Sequence, residues 1–287
     1  MSIINDCMIV NLQIGMWVGQ RLDMAASAKV TQDAHASADA ARVNKHIVPK
    51  DSLQPIKAMA SSLRNHFYAN TLPWKDNGDR LLIRRTYTKF IEEHTKLAND
   101  FESAVDDFIA HTYPRVRDQA EFRMGELFNP QDYPAPSALK HKFYINLDID
   151  AVTMANDFRV QLDEKEQERV KASMEQALKK RLGTAMEEVW TRLAKTLKHF
   201  AEQVGSDVMF RDTTITHLEE IVELLPDLNI LNDARLEQLR QDISSHLIGY
   251  DPKQLRKDDV ARKQVAGEAK RIIDTMSGFM NAFGGAK

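Results

Sequence analysis

From Asp163 to Gly205 the chain carries one unbroken helical pattern. Val170, Met174, Leu178, Leu182, Met186, Val189, Leu193, Leu197, Phe200 and Val204 return every three or four residues and so share one face. Asp163 followed three residues later by Glu166 resembles a capping box, and Gly205 supplies a stop. At about 1.5 Å per residue such a helix is roughly 60 Å long, more than a compact globule of this size needs. It must bury its stripe along something of similar length. Ile83, Tyr87, Phe90, His94, Leu97, Phe101, Ala104 and Phe108 alternate steps of four and three, the spacing of a coiled-coil seam. The economical expectation pairs the two as an elongated hairpin.

The rest of the chain adds shorter helices and a small sheet. Residues 8–18 alternate, with Met8, Val10, Leu12, Ile14, Met16 and Val18 on one side, and Phe143 to Ile149 alternate equally clearly. A weaker alternation covers residues 158–162, and its short link to the preceding strand makes that pair antiparallel. Residues 23–43, rich in alanine and serine, read as a lightly packed helix or a mobile arm. Asp51 or Ser52 caps a helix that ends at Pro73, and after the turn at 75–78 Asp79 caps the seam-bearing helix. Pro114 breaks the chain, and a loop with Pro130, Pro134 and Pro136 leads into the second strand. Beyond Gly205 three helices are expected, near 214–225, 232–248 and 254–281. The fold class predicted is mainly α: an elongated helical bundle or coiled-coil hairpin with an antiparallel sheet of about three strands. An N-terminal region 1–162 and a C-terminal helical region 163–287 would form one continuous domain.

Composition narrows function by exclusion. Lysines and arginines number 39 against 42 acids, a net charge of −3 that argues against a broadly basic nucleic-acid binder. The lone Cys7 makes no internal disulfide, no basic-then-apolar leader opens the sequence, and no apolar run is long enough for a membrane span; a cytoplasmic location without membrane contact is the expectation. Phosphate loops, dinucleotide fingerprints, paired cysteines, His-Glu-x-x-His and the Gly-x-Ser-x-Gly elbow are all missing. No catalytic residue, metal ligand or cofactor is therefore predicted. Asp148 and Asp150 are too few carboxylates to specify a cation, Cys7 has no activating neighbour, and His94 reads as a register-setting polar residue in an apolar seam.

Two groups of basic residues remain. Arg80, Arg84, Arg85 and Lys89 have no acid among residues 80–91, and residues 253–271 carry seven basic side chains, among them Lys257, Arg262 and Lys263, against three acidic ones, a net +4. Arg84, Arg85, Lys89, Lys257, Arg262 and Lys263 are the candidates for nucleic-acid contact, although no aromatic residues interleave with them. Trp17, on the polar side of the first strand between two glycines, either packs under a helix or anchors a partner.

Short motifs add a family resemblance. Ile14, Trp17, Gly19 and Arg21, then Tyr133, Pro134 and Phe143, then Asp157, Phe158, Arg159 and Val160 resemble the uncharacterised phage and bacterial domain-of-unknown-function family numbered 3150, with Val18 departing from its pattern. The resemblance implies a phage or mobile-element origin, hence the host cytoplasm, and neighbouring genes for a MoxR-type AAA+ ATPase and a von Willebrand factor A-like protein. It makes Trp17, Arg21 and Tyr133 candidate partner-binding residues. The resulting expectation is a non-enzymatic helical interaction or assembly protein, binding a protein partner such as that ATPase, itself, or both; the alternative is a nucleic-acid-binding phage factor.

Overall fold

The computed structural model describes residues 6–153, 163–206 and 209–284. In chain order the elements are β1 (Cys7–Gly15), β2 (Gln20–Asp23), α1 (Met24–Asp33), β3 (Val43–His46), α2 (Gln54–Asn70), β4 (Leu72–Pro73), β5 (Arg80–Ile83), α3 (Tyr87–Asp107), α4 (Tyr113–Asp118), α5 (Ala120–Met124), α6 (Pro136–Lys140), β6 (Tyr144–Ala151), α7 (Glu164–Gly205), α8 (Thr213–Leu228), α9 (Ala234–His246), α10 (Pro252–Leu255) and α11 (Asp259–Gly284). The protein is mainly helical, as its periodicity predicts. The strands form a four-stranded sheet ordered β4-β5-β1-β6 and a two-stranded β2–β3 ribbon, where about three strands were expected. β5 pairs antiparallel with β1, Cys7 facing Ile83 and Ile9 facing Leu81, and β4 pairs antiparallel with β5. The expected strand at 158–162 lies outside the described residues.

The chain divides into two compact units, neither continuous in sequence. One comprises Met1–Asn11, Asn70–Thr88 and Ile149–Lys287; the other comprises Leu12–Ala69 and Lys89–Asp148. The boundaries differ from the 1–162 and 163–287 division read from the sequence.

The first unit is built on α7. Asp163 caps it, its carboxylate accepting from the Glu166 amide at 2.9 Å, and the 42-residue helix runs to Gly205. The stripe is buried from Ala185 onward by α11, α8 and one sheet face, so Trp190, Leu193, Leu197 and Phe200 share a core with Leu218, Ile243, Ile272, Ile9 and Leu81. α11 runs back antiparallel to α7: Ala266 lies against Gly205, and Phe279 meets the Trp190 ring edge-on at 6.3 Å. Each buried Leu or Phe here contributes about 1.5–3 kcal/mol. Within this unit the long helix packed along α7 is α11, where residues 80–112 were expected.

The seam-bearing segment is itself split. Arg80–Ile83 is a strand, Arg84–Thr86 a tight turn, and α3 begins only at Tyr87. Ile83 faces the first unit's core, whereas Phe101, Val105 and Phe108 belong to the second unit, whose core they share with Ile56, Ala60 and Leu63 of α2. Four residues of β-branched and leucine-rich sequence after a Gly-containing turn satisfy a strand as well as a helix, and pairing with β1 decides it. Where α3 approaches Pro114, a π-helical turn at Phe108–Thr112 absorbs the missing amide before α4 resumes.

Within the second unit the alanine-rich segment resolves as β2–α1–β3. Asp23 caps α1 by accepting from the Ala26 amide at 2.9 Å, and the ribbon pairs Gln20 with His46 through to Asp23 with Val43. Gly19 enters the ribbon at φ +65°, where a Cβ would lie 2.3 Å from the Val48 side chain. Only glycine suits that corner.

Candidate functional site

Trp17 is consumed by packing. It stands edge-on to Tyr113 at 5.8 Å and 6.4 Å from Phe108, partly buried against the second unit's core. Tyr133 is also buried, its ring 5.9 Å from that of Phe128 and tilted against it by 42°. Neither offers the exposed anchor expected of a partner-binding residue, because each completes an aromatic cluster that its own unit needs. Arg21 keeps 60 % of its side chain exposed, but its guanidinium lies 3.7 Å from Asp132 at the edge of an ionic cluster centred on Lys45.

That cluster was not legible in the sequence. The Lys45 ammonium, almost enclosed, lies 2.7 Å from Asp132 and 3.2 Å from Asp23, and donates to the Leu127 carbonyl at 2.9 Å. The hydrogen bond that Lys45 donates to Asp132, and then the one it donates to Asp23, raise its pKa and outweigh the effect of burial. Its members lie up to 109 positions apart and carry no motif; their arrangement ties the ribbon to the proline-rich loop and is structural in character.

Several arginines of the basic stretches are engaged, some by residues distant in sequence and some by neighbours on the same helix. Arg80 donates to the Thr71 hydroxyl and carbonyl at 2.7 and 2.8 Å. Arg84 pairs with Asp6 at 2.9 Å, and Arg85 pairs with Asp227 at 2.6 Å while also donating to the Pro226 carbonyl. These two pairs line a cleft of about 340 Å³ together with Cys7, Ile83 and Ile230. Burial, and then the Asp6 charge, push the Cys7 thiol up to about 11, so the sulfur that lines the cleft is a protonated, unreactive thiol. In the second stretch Arg262 is buried and paired with Asp259 at 2.8 Å, Arg271 pairs with Glu268, and Arg256 pairs with Asp212 and lies over the Phe210 ring. Lys89, Lys257 and Lys263 remain exposed, on separate helices or turns. Lys89 belongs to the second unit and the other five candidates to the first.

Asp148 and Asp150 stand exposed on β6, and no group of three or more metal-ligating side chains occurs among the described residues. None of the helices among them is long and apolar enough to cross a membrane. Asp157, Phe158, Arg159 and Val160, which carry the last part of the family resemblance, lie outside the described residues. Phe122 on α5 is 96 % exposed, a single apolar side chain of a kind that surfaces tolerate.

The surface that stands apart is the first half of α7. Not one of the 21 residues from Glu164 to Thr184 is buried, although the apolar stripe continues through them as Val170, Met174, Leu178 and Leu182. Leu178 and Leu182 pack against the rim of the first unit's core, while among the described residues Val170 and Met174 join neither core. Half-buried positions keep to one face of this stretch, and the opposite face is exposed. Its charges alternate at the start, Glu164, Glu166 and Glu168 with Lys165, Arg169 and Lys171, and it ends on a basic run, Lys179, Lys180 and Arg181.

No protein-family model, curated protein or solved structure matches this chain. The likeness to the family numbered 3150 therefore rests on its short motifs alone.

Proposed function

We propose that this protein works by binding other protein chains through helical surface, as an assembly or adaptor factor, and not by catalysis. The observation that carries this reading is the half-exposed apolar stripe on the first 21 residues of α7, a preformed helix that presents side chains at the i, i+4 spacing used when one helix docks on another. The family resemblance extends the proposal to a phage or mobile-element origin, a cytoplasmic setting and a MoxR-type AAA+ ATPase as a partner.

Nucleic-acid binding has less support, because Arg84, Arg85 and Arg262 spend their charge on Asp6, Asp227 and Asp259. The two readings separate cleanly by photo-cross-linking of the whole chain in the cells that make it. A benzophenone amino acid in place of Met174 should give protein adducts, and one in place of Lys263 should give no nucleic-acid adduct. Nucleic acid captured at 263 with nothing captured at 174 would replace the interaction reading by the alternative.

A further inference from the structure

We infer that the second unit carries a groove that binds a short proline-rich segment of another protein in the polyproline conformation. The inference goes beyond the α7 surface and does not depend on it.

The groove has a volume of about 420 Å³. That is within the roughly 300–1,000 Å³ usual for ligand clefts. Pro114, Arg117 and Asp118 line it from α4, where a spacing of three or four residues puts the proline on one side of the helix with the two charges. Phe128, Pro130, Tyr133 and Pro136 line it from the loop that leads into α6. Tyr133 is thus no exposed anchor, yet it belongs to a groove. Its hydroxyl is shielded from water and has no hydrogen-bond partner among the described residues. A buried donor left unpaired is costly, so an acceptor brought to it is strongly favoured.

The lining residues select what can supply that acceptor. Pro114, Pro130 and Pro136 have no amide hydrogen to offer an added β-strand. The carbonyls of a docking helix are already bonded within that helix. A polyproline segment differs from both, because its rings lie flat against aromatic side chains and its carbonyls have no internal partner. The unit makes this bond once within itself. Ala135, at φ −60° and ψ 145°, is in the polyproline conformation, and the adjoining Pro134 carbonyl accepts from the Tyr113 hydroxyl at 2.7 Å. Tyr133 carries the same donor without such an acceptor. Arg117 and Asp118 are exposed, and neither forms an ion pair among the described residues. An acidic and a basic residue flanking the prolines of the ligand complement them.

Fluorescence anisotropy on the whole chain tests this. The probe is a labelled peptide with about six prolines between a lysine and a glutamate, roughly 19 Å long in the polyproline form. A glycine–serine peptide of equal length and a helical alanine–lysine peptide are the controls. The wild type should bind the proline peptide with a Kd on the order of 100 µM and leave both controls unbound at that concentration. Tyr133→Phe removes only the hydroxyl and should weaken binding about fivefold, while the melting temperature of the free chain holds or rises because the lost group had no partner. A lowered melting temperature would reveal a hydroxyl already engaged in the free chain and count against the inference. Pro136→Ala takes away one ring at the first position of α6, where alanine suits the helix, and should weaken binding about threefold. Arg117→Glu should shift the preference to a peptide with lysine at both ends. The inference is overturned if the wild type ignores the proline peptide, if a control binds as well, or if binding is indifferent to all three substitutions.

Discussion

His94 shows how much one side chain can be constrained by its surroundings. It is 6 % exposed, stacked at 5.8 Å on Phe90, which is itself stacked at 5.0 Å on His66, and its Nδ1 has no partner among the described residues. Burial, and then the charge His66 would carry, hold its pKa below the ordinary value of 6.5. A group with a depressed basic pKa is bound by fewer protons when folded than when unfolded. Stability is therefore complete above about pH 6.5 and falls as pH drops from there toward the folded-state pKa. The urea midpoint should decline over that window, and His94→Leu should flatten the decline while leaving the midpoint at pH 8 little changed. An unaltered pH profile in the variant would remove His94 as the cause. Glycines give a second residue-scale contrast. Gly19→Ala meets both the positive φ and Val48, and should destabilise by about 1–2 kcal/mol from the backbone alone. Gly183 lies within α7 with nothing inside 4 Å of an added Cβ. Gly183→Ala should stabilise the helix, by about 0.5–1 kcal/mol. Thermal melts of the two variants should move in opposite directions.

At the scale of the element, α7 is two different helices end to end. Its second half is locked by a core, and its first half holds together through its cap, its propensity and a partly covered stripe. Leu197→Ala should cost about 2–5 kcal/mol, since a fully buried side chain leaves a cavity, whereas Val170→Ala should stay below about 1 kcal/mol. Amide exchange should divide at the same place, with strong protection from about residue 185 to 204 and faster exchange before it. Equal protection along the whole helix would contradict this division. The helix as such was legible because its period is sustained over many turns and both its ends carry signals, Asp163 and Gly205. Its partner was not: a stripe states how much it needs to bury, not against what. β5 was misread for a related reason, because Ile83 fits the α3 seam in spacing while the backbone at 80–83 is claimed by β1. The β2–β3 ribbon went unseen because Gln20–Asp23 and Val43–His46 are polar and short, and a Lys45–Asp23–Asp132 cluster holds them where an apolar alternation would normally leave its mark.

At the scale of the molecule, the absence of a contiguous domain matters most. The chain passes between its two units at 11–12, 69–70, 88–89 and 148–149, so each unit draws its core from segments far apart in sequence. This also explains why the candidate surface was only half visible beforehand: the first basic stretch looked free because Asp6 and Asp227, the partners of Arg84 and Arg85, lie 78 and 142 positions away from them. The helical unit depends on this arrangement for stability. Cys7, Ile9, Leu72, Trp74, Leu81 and Ile83, all N-terminal to α7, close one side of the core that contains Trp190, Leu193 and Leu197. A fragment of residues 163–287 keeps every long helix of the first unit and loses all six. At about 25 cal/mol per Å² of apolar surface, leaving that side open forfeits several kcal/mol, comparable with the whole stability of a domain of this size. The fragment should therefore be helical but loosely packed, with a broad urea transition and exposed apolar surface that binds a hydrophobic dye, where the full chain shows a sharp transition and little dye binding. A fragment that unfolds as sharply as the whole chain would mean that the strands decorate this core instead of completing it.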